Sequence, residues 1–427
     1  MSQAGTLTTN MTPAQKTKYE DQFLAHYREM TVAEQFGQSV NLNHGEGKTV
    51  DWFRYHPLAK VTAAGSEGKS SFTYKNLLSM NITATLVEWF DQVNFSMLHW
   101  ATSRDRHLTA GVETVSQQAV ESLDREIVHQ LVEHGIWPLP ANAVNSLGVI
   151  DADYYAEGVK CDSVVTATPT TVVHLDETTF DGIILSDNTQ SLVGGWACIS
   201  KGRGYGHCSR VSAFESAENA MTLTNAAPET METAGNTTPT EFTLMGPFHA
   251  STALTSSDKI STELLNKAAE ILRKNRAKKF ANGRYACMIT PEVHRQLLSD
   301  KRWRETAIHS PQVADGGMKN GLVATWADMD FFVHTSRPKY VGTAATVNSM
   351  SEGGAGRLQF TLCLGMDAFG VVGLEGMGQP RLSFKIPQPD DGNTSNPNNT
   401  FGTIGWYRAW ITKPLNANFC VGLLSYV

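Results

Sequence analysis

The stretch NGRYACMITPEV, Asn282 to Val293, decides how the chain is read. Tyr285-Ala286-Cys287-Met288-Ile289 is a short apolar run, the pattern of a strand. Thr290 then stands as a helix cap. Pro291 fills the first turn, where a missing N–H costs nothing, and Glu292 sets negative charge near the positive end of the helix dipole. A strand therefore hands over directly to a helix.

Working outward, two more helices stand out. Ser116 is a fair N-cap for a helix that Gly135 ends; Ala119, Val120, Leu123, Ile127, Leu131 and Val132 recur at helical spacing between them. Its other face is polar, through Gln117, Glu121, Asp124, Gln130 and Glu133. A second helix is expected from Ser257 to Lys274, with Ile260, Leu264, Leu265, Ala268, Ile271 and Leu272 on one side. Thr49 to His56 is rich in β-branched and aromatic residues and closed by Pro57, so it reads as a strand. Phe72, Tyr74 and Leu86 to Phe90 continue the strand pattern, and the small, polar run Ala63 to Ser71 suits the tip of a long hairpin. Such a hairpin has little core of its own and gains stability by lying against something else. Residues up to about Val40 look like an arm, with Phe23, Tyr27, Met30 and Phe36 at loosely helical spacing. Cys161 to Thr243 turns to Thr, Asn, Ser and Gly with short strand-like runs, a β-rich insertion. Phe419 to Val427, apolar to the last residue, is expected as a strand pinned in a sheet. The class is α+β.

The 427 residues can bury a sizeable core, and 41% hydrophobic with 18% charged residues is ordinary for a folded protein. A net charge of −7 argues against a protein built mainly to grip nucleic acid. No apolar run is long enough to cross a bilayer, so no membrane partner is expected. The first residues lack a positive start followed by an apolar block, so no secretory signal is expected either. The six cysteines are scattered without metal-site spacing and read as buried free thiols of a reducing cytoplasm.

Candidate chemistry dissolves on inspection. Gly47-Lys48-Thr49 imitates the end of a phosphate loop, but Leu42 stands where the loop needs its first glycine, and a strand follows where a helix should open. His129 and His134 lie five positions apart on a helix, so they diverge by about 140° and cannot share a metal. His207 and Cys208 are adjacent on extended chain and point to opposite faces, which rules out a base–nucleophile pair. Arg273, Lys274, Arg276, Lys278 and Lys279 end a helix, where cations complement the dipole; a phosphate-facing role is the minority reading. No catalytic residue, metal ligand or cofactor-binding residue is assigned, and the chain is read as a non-enzyme without cofactors.

The order of segments adds a resemblance. Gly47 to Leu58 followed by Glu67-Gly68 resembles the N-terminal part of tailed-bacteriophage major capsid proteins, within them the lineage of the N-four-like podoviruses. Asn282 to Val293 with Leu297-Leu298-Ser299-Asp300 and Trp303, then Gly365 to Gly370 and Gly402 to Tyr407, are similar to the same family. The resemblance implies the Hong Kong 97-like viral capsid fold. Its expected segments are an N-terminal arm (1–46), an extended hairpin loop and its base (47–96), and a peripheral domain with a spine helix (97–150). A surface β-rich insertion (151–250), an axial domain (251–385) and a C-terminal return to the peripheral domain (386–427) follow. The implied function is structural: copies assemble as hexamers and pentamers into an icosahedral virion shell around double-stranded DNA, made in the host bacterial cytoplasm. Implied partners are the chain itself, portal and scaffolding proteins, a decoration protein, and DNA without sequence specificity. Candidate contacts between copies are Phe23, Tyr27, Arg54, Glu67, Lys69, Phe72 and Tyr74. The rival readings are an encapsulin-like host nanocompartment of the same fold, a nucleotide- or carbohydrate-dependent enzyme, and a DNA-binding module.

Overall fold

The computed structural model describes residues 13–43, 45, 47–55, 77, 79–96, 107–134, 137–140, 155–164, 171–176, 195–201, 207–215, 219–224, 226–227, 230–231, 233, 239–245, 257–304, 322–335, 358–375, 379–385 and 400–426. Its centre is the strand read first from the sequence. β12 (Tyr285–Ile289) is buried at every position and sits inside a six-stranded sheet. The sheet order is β13 (Leu322–Trp326), β14 (Met329–Val333), β12, β15 (Leu358–Leu364), β19 (Cys420–Tyr426) and β5 (Trp137–Pro140). Alternate residues serve two cores. Tyr285, Cys287 and Ile289 meet α3 (Thr262–Lys274) and α4 (Pro291–Ser299), while Ala286 and Met288 join the core beneath α1 (Pro13–Met30) and α2 (His107–His134). A strand buried on both faces needs apolar residues at every position, and this one has them. The C-terminal strand β19 lies between β15 and β5, pinned as its composition implied.

A second sheet lies across α2. Its long strand β18 (Phe401–Pro414) pairs on one side with β4 (Val87–Ser96). On the other side it pairs end to end with β16 (Phe369–Leu374) and β17 (Arg381–Lys385), and β1 (Gln38–Leu42) adds parallel to β16. Ile404, Trp406 and Trp410 face α2. Gly405 faces away, against β4: a Cβ there would stand 2.5 Å from the Asp91 carbonyl oxygen. Gly405→Ala is therefore expected to push β4 off β18 and to cost about 1–3 kcal/mol, the usual range for overpacking. Urea denaturation checks this, and an unchanged midpoint would contradict it.

The insertion closes on itself. β6 (Tyr155–Val164), β7 (Val172–Leu175), β8 (Trp196–Lys201), β9 (Cys208–Glu215), β10 (Ala220–Leu223) and β11 (Glu241–Met245) close into a barrel in the order β10-β7-β6-β11-β8-β9. Val159, Val173, Ile199, Val211, Met221 and Phe242 fill it. Closure removes sheet edges that would otherwise invite pairing.

Several expectations need correction. Ser116 is not a cap: α2 begins at His107, and Ser116 lies buried within it, donating its hydroxyl to the Phe23 carbonyl at 3.1 Å. Val112 and Val115 extend the buried stripe upstream, and Gly111 is accommodated because Ile404 packs where a Cβ would stand. The next helix starts at Thr262, capped by Ser261, whose hydroxyl accepts from Leu264 N–H at 3.2 Å. The residues before it are held otherwise, since the Asp258 carbonyl accepts from Tyr426 N–H at 2.9 Å. Thr290 occupies the cap position without a side-chain bond to its helix. Cys198 and Cys208 are not free thiols: they oppose each other on β8 and β9 and form a disulfide, with Cα atoms 4.1 Å apart. The linear segments also interleave. Within 386–427, β18 joins the sheet across α2 and β19 the sheet around β12, while β16 and β17 leave the 251–385 segment for the first of these.

Candidate assembly surface

The arm is satisfied within its own chain. Phe23 and Tyr27 of α1 are buried in the core shared with α2, so these two candidate contacts between copies are interior residues. The connection after α1 is held electrostatically. The Asp124 carboxylate on α2 accepts from Val32 N–H at 2.9 Å and from Ala33 N–H at 3.4 Å, both through Oδ2. Burial pushes that carboxyl up to about 7. Close by, the buried Arg408 guanidinium of β18 grips both oxygens of Glu34 and donates to the Tyr27 hydroxyl at 2.8 Å. It also lies over the Trp410 ring at 5.3 Å. Desolvation, then the Glu34 charge, raises the Tyr27 phenol well above its usual value. Arg408 escaped the sequence reading because one arginine in an aromatic strand carries no sign of the face it takes.

The hairpin behaves differently. β2 (Thr49–Tyr55) and β3 (Ser79–Thr85) form a two-stranded ribbon in continuous antiparallel register from Thr49↔Thr85 to Tyr55↔Ser79. Gly47, at φ +96°, turns the chain into it, and the Lys48 carbonyl accepts from Leu86 N–H at 2.8 Å where the ribbon closes. The Gly-Lys-Thr run thus opens a strand and builds no phosphate cradle. Trp52 seats the ribbon on the sheet: its ring occupies the space a side chain at Gly370 would need, 2.6 Å from the Cβ position. The alternate residues face outward. Phe53 is 66% and Tyr55 60% exposed, while Arg54 on the inner face is half-buried, and desolvation lowers its guanidinium to about 10. Phe90 on β4 adds a ring that is 69% exposed, while Val87 and Val93 lie on the other face of the strand, opposite Trp410 and Ile404. Among the described residues no strand pairs with the outer edge of β4. Of the other candidate contacts, Glu67, Lys69, Phe72 and Tyr74 lie outside the described residues.

The remaining motifs are absorbed by structure. Cys208 is spent in its disulfide and offers no nucleophile. Arg273 and Lys279 both reach Asp328, at 2.7 and 3.0 Å, and Lys278 reaches Asp367 at 3.0 Å. The hydrogen bond from Lys279 holds the Asp328 carboxyl below its usual value. Three of the five cations in that basic cluster are thus held by aspartates, which leaves it a poor phosphate cradle. No group of three potential metal ligands occurs among the described residues, and no described helix is long and apolar enough to cross a membrane.

The sequence matches no protein-family model and no curated protein. Among solved structures the chain is similar to the capsid of Ralstonia phage GP4, at 12% identity and TM-score 0.48, covering 94% of this chain and 92% of that one. It is also similar to the capsid structure of cyanophage P-SCSP1u, at 13% identity and TM-score 0.45, covering 93% and 88%. The mature capsid of bacteriophage PhiM1 is similar at 10% identity and TM-score 0.44, covering 92% and 87%.

Proposed function

We propose that this chain is a shell-forming structural protein, the major capsid protein of a tailed bacteriophage with the Hong Kong 97-like fold. Copies assemble as hexamers and pentamers into an icosahedral shell around double-stranded DNA. The observation that carries the reading is the β2–β3 ribbon, anchored by Trp52 while Phe53 and Tyr55 stand in solvent. Two aromatic rings on a narrow ribbon are a surface that a neighbouring copy covers, because exposed contiguous apolar area marks interaction sites. The sequence resemblance across the ribbon, β12 and β18 supports the same reading. On it, Arg54 and the hairpin residues Glu67, Lys69, Phe72 and Tyr74 are contacts between copies, the barrel is a surface feature open to a decoration protein, and portal and scaffolding proteins are the assembly partners.

Replacing Phe53 and Tyr55 together with serine tests the reading. The expected result is loss of shells by negative-stain microscopy and a shift to small species in sedimentation. The unfolding midpoint of the subunit should move little, since surface changes usually stay within about 0.5 kcal/mol. Shells that form normally from the double variant would refute the role given to the ribbon. Nuclease-protected DNA inside particles separates a phage capsid from a host compartment that carries protein cargo.

A further inference from the structure

Beyond the disulfide between β8 and β9, the sheet around β12 holds a second pair of cysteines in contact. Cys287 on β12 and Cys363 on β15 are directly opposed in antiparallel register, and their sulfurs lie 3.3 Å apart. Both side chains are fully buried on the face toward α3 and α4. Opposed antiparallel residues have Cα atoms about 4.5–5.5 Å apart, inside the range a disulfide spans. The sulfurs need to close from 3.3 to about 2.04 Å. Cys420 is also in the sheet, but it joins the α1–α2 core on the opposite face.

We propose that Cys287 and Cys363 are a latent disulfide site, a dithiol in the reduced subunit that becomes a cross-link through the middle of the sheet under oxidising conditions. The oxidant is a small-molecule disulfide such as oxidised glutathione. One cysteine thiolate attacks it, forming a mixed disulfide and releasing one small thiol. The second cysteine then loses its proton to solvent and attacks the protein sulfur of that mixed disulfide, expelling the second small thiol. Two protein thiols are oxidised and one small disulfide is reduced to two thiols. Burial raises the Cys287 thiol well above its usual value, so exchange proceeds from opened or folding chains more than from the closed sheet. The bond ties β12 to β15 across 76 positions of sequence, which restricts the unfolded chain. The inference stands on the sheet and is independent of the assembly reading.

The test uses the full chain, expressed once in a reducing and once in an oxidising bacterial cytoplasm, and also incubated as purified protein with oxidised glutathione in mild urea. Each sample is denatured in an alkylating agent and its cysteine peptides are mapped by mass spectrometry. A Cys287–Cys363 linked peptide, two mass units lighter than the dithiol pair, is expected in the oxidised samples, with Cys161 and Cys420 fully alkylated. The oxidised protein should unfold at a higher temperature than the same protein reduced only at this pair, a difference that Cys363→Ser removes and Cys420→Ser keeps. Full alkylation of Cys287 and Cys363 in all oxidised samples overturns the proposal, as does a persistent glutathione adduct on either residue or a link from either to Cys420.

Discussion

Replacing Arg408 with alanine is expected to destabilise the subunit by about 3–5 kcal/mol, the usual cost of removing one partner from a buried ion pair. The reason is geometric. Arg408 is buried in β18, yet Glu34 and Tyr27 belong to the N-terminal segment, so one guanidinium holds two distant parts of the chain together. Its loss strands the Glu34 carboxylate, itself mostly covered, and leaves the Tyr27 hydroxyl without that donor. Arg408→Lys is expected to recover part of the loss at most, because an ammonium is a point charge and cannot serve both Glu34 oxygens and the phenol from one plane. Urea unfolding of wild type, Arg408→Ala, Glu34→Gln and the double variant checks the claim. The two single changes should be strongly non-additive, with the double variant close to Arg408→Ala alone. Additive losses would show that the pair does not act as a unit.

How much of this was legible beforehand follows from where each signal sits. β12 was readable because five apolar residues run between Arg284 and Thr290, and Pro291 fixes where the helix begins. The start of α2 is hidden in the sequence because Ser116 is a good cap by type, and what lets the helix run on through Gly111 is Ile404, nearly three hundred positions away. The barrel was legible as β-rich but not as closed, because closure is a pairing of strands and composition does not encode partners. The same limit hid the Cys198–Cys208 bond, which depends on register across two strands.

For the assembly surface, a hairpin with too little private core was readable from its aromatic and β-branched run. Which ring points inward was not. Trp52, Phe53 and Tyr55 are all aromatic, so alternation gives two apolar faces and no polarity to choose between them; Gly370 makes the choice by leaving room for Trp52. The arm went the other way. Its apolar spacing calls for cover from the rest of the chain or from a neighbour, and α2 and β18 supply that cover from the same chain.

The attachment of the arm should also depend on pH, and the sign is unusual for a carboxylate. Asp124 has an ordinary value of 3.8 and is pushed up to about 7, chiefly because it is buried; the backbone N–H groups of Val32, Ala33 and Glu34 act in the opposite sense, while the Glu34 charge reinforces the rise. Between those two values the folded chain holds a proton that the unfolded chain has released. Stability from this group is therefore complete below pH 3.8, falls as pH rises toward about 7, and is flat above. The full span is on the order of 4 kcal/mol, at about 1.4 kcal/mol per pH unit. Asp328 has the opposite sign, but its window lies at and below the ordinary carboxylate value, so it does not mask this one. Asp124→Asn keeps the shape and a carbonyl oxygen where Oδ2 accepts from Val32 and Ala33, and it cannot ionise. The variant is expected to match wild type near pH 4 and to exceed it in unfolding free energy at pH 8, with a shallower dependence between. Urea midpoints at five pH values decide it: a variant less stable than wild type at pH 8 would mean that the ionised carboxylate, not its neutral form, is what the N–H groups after α1 require.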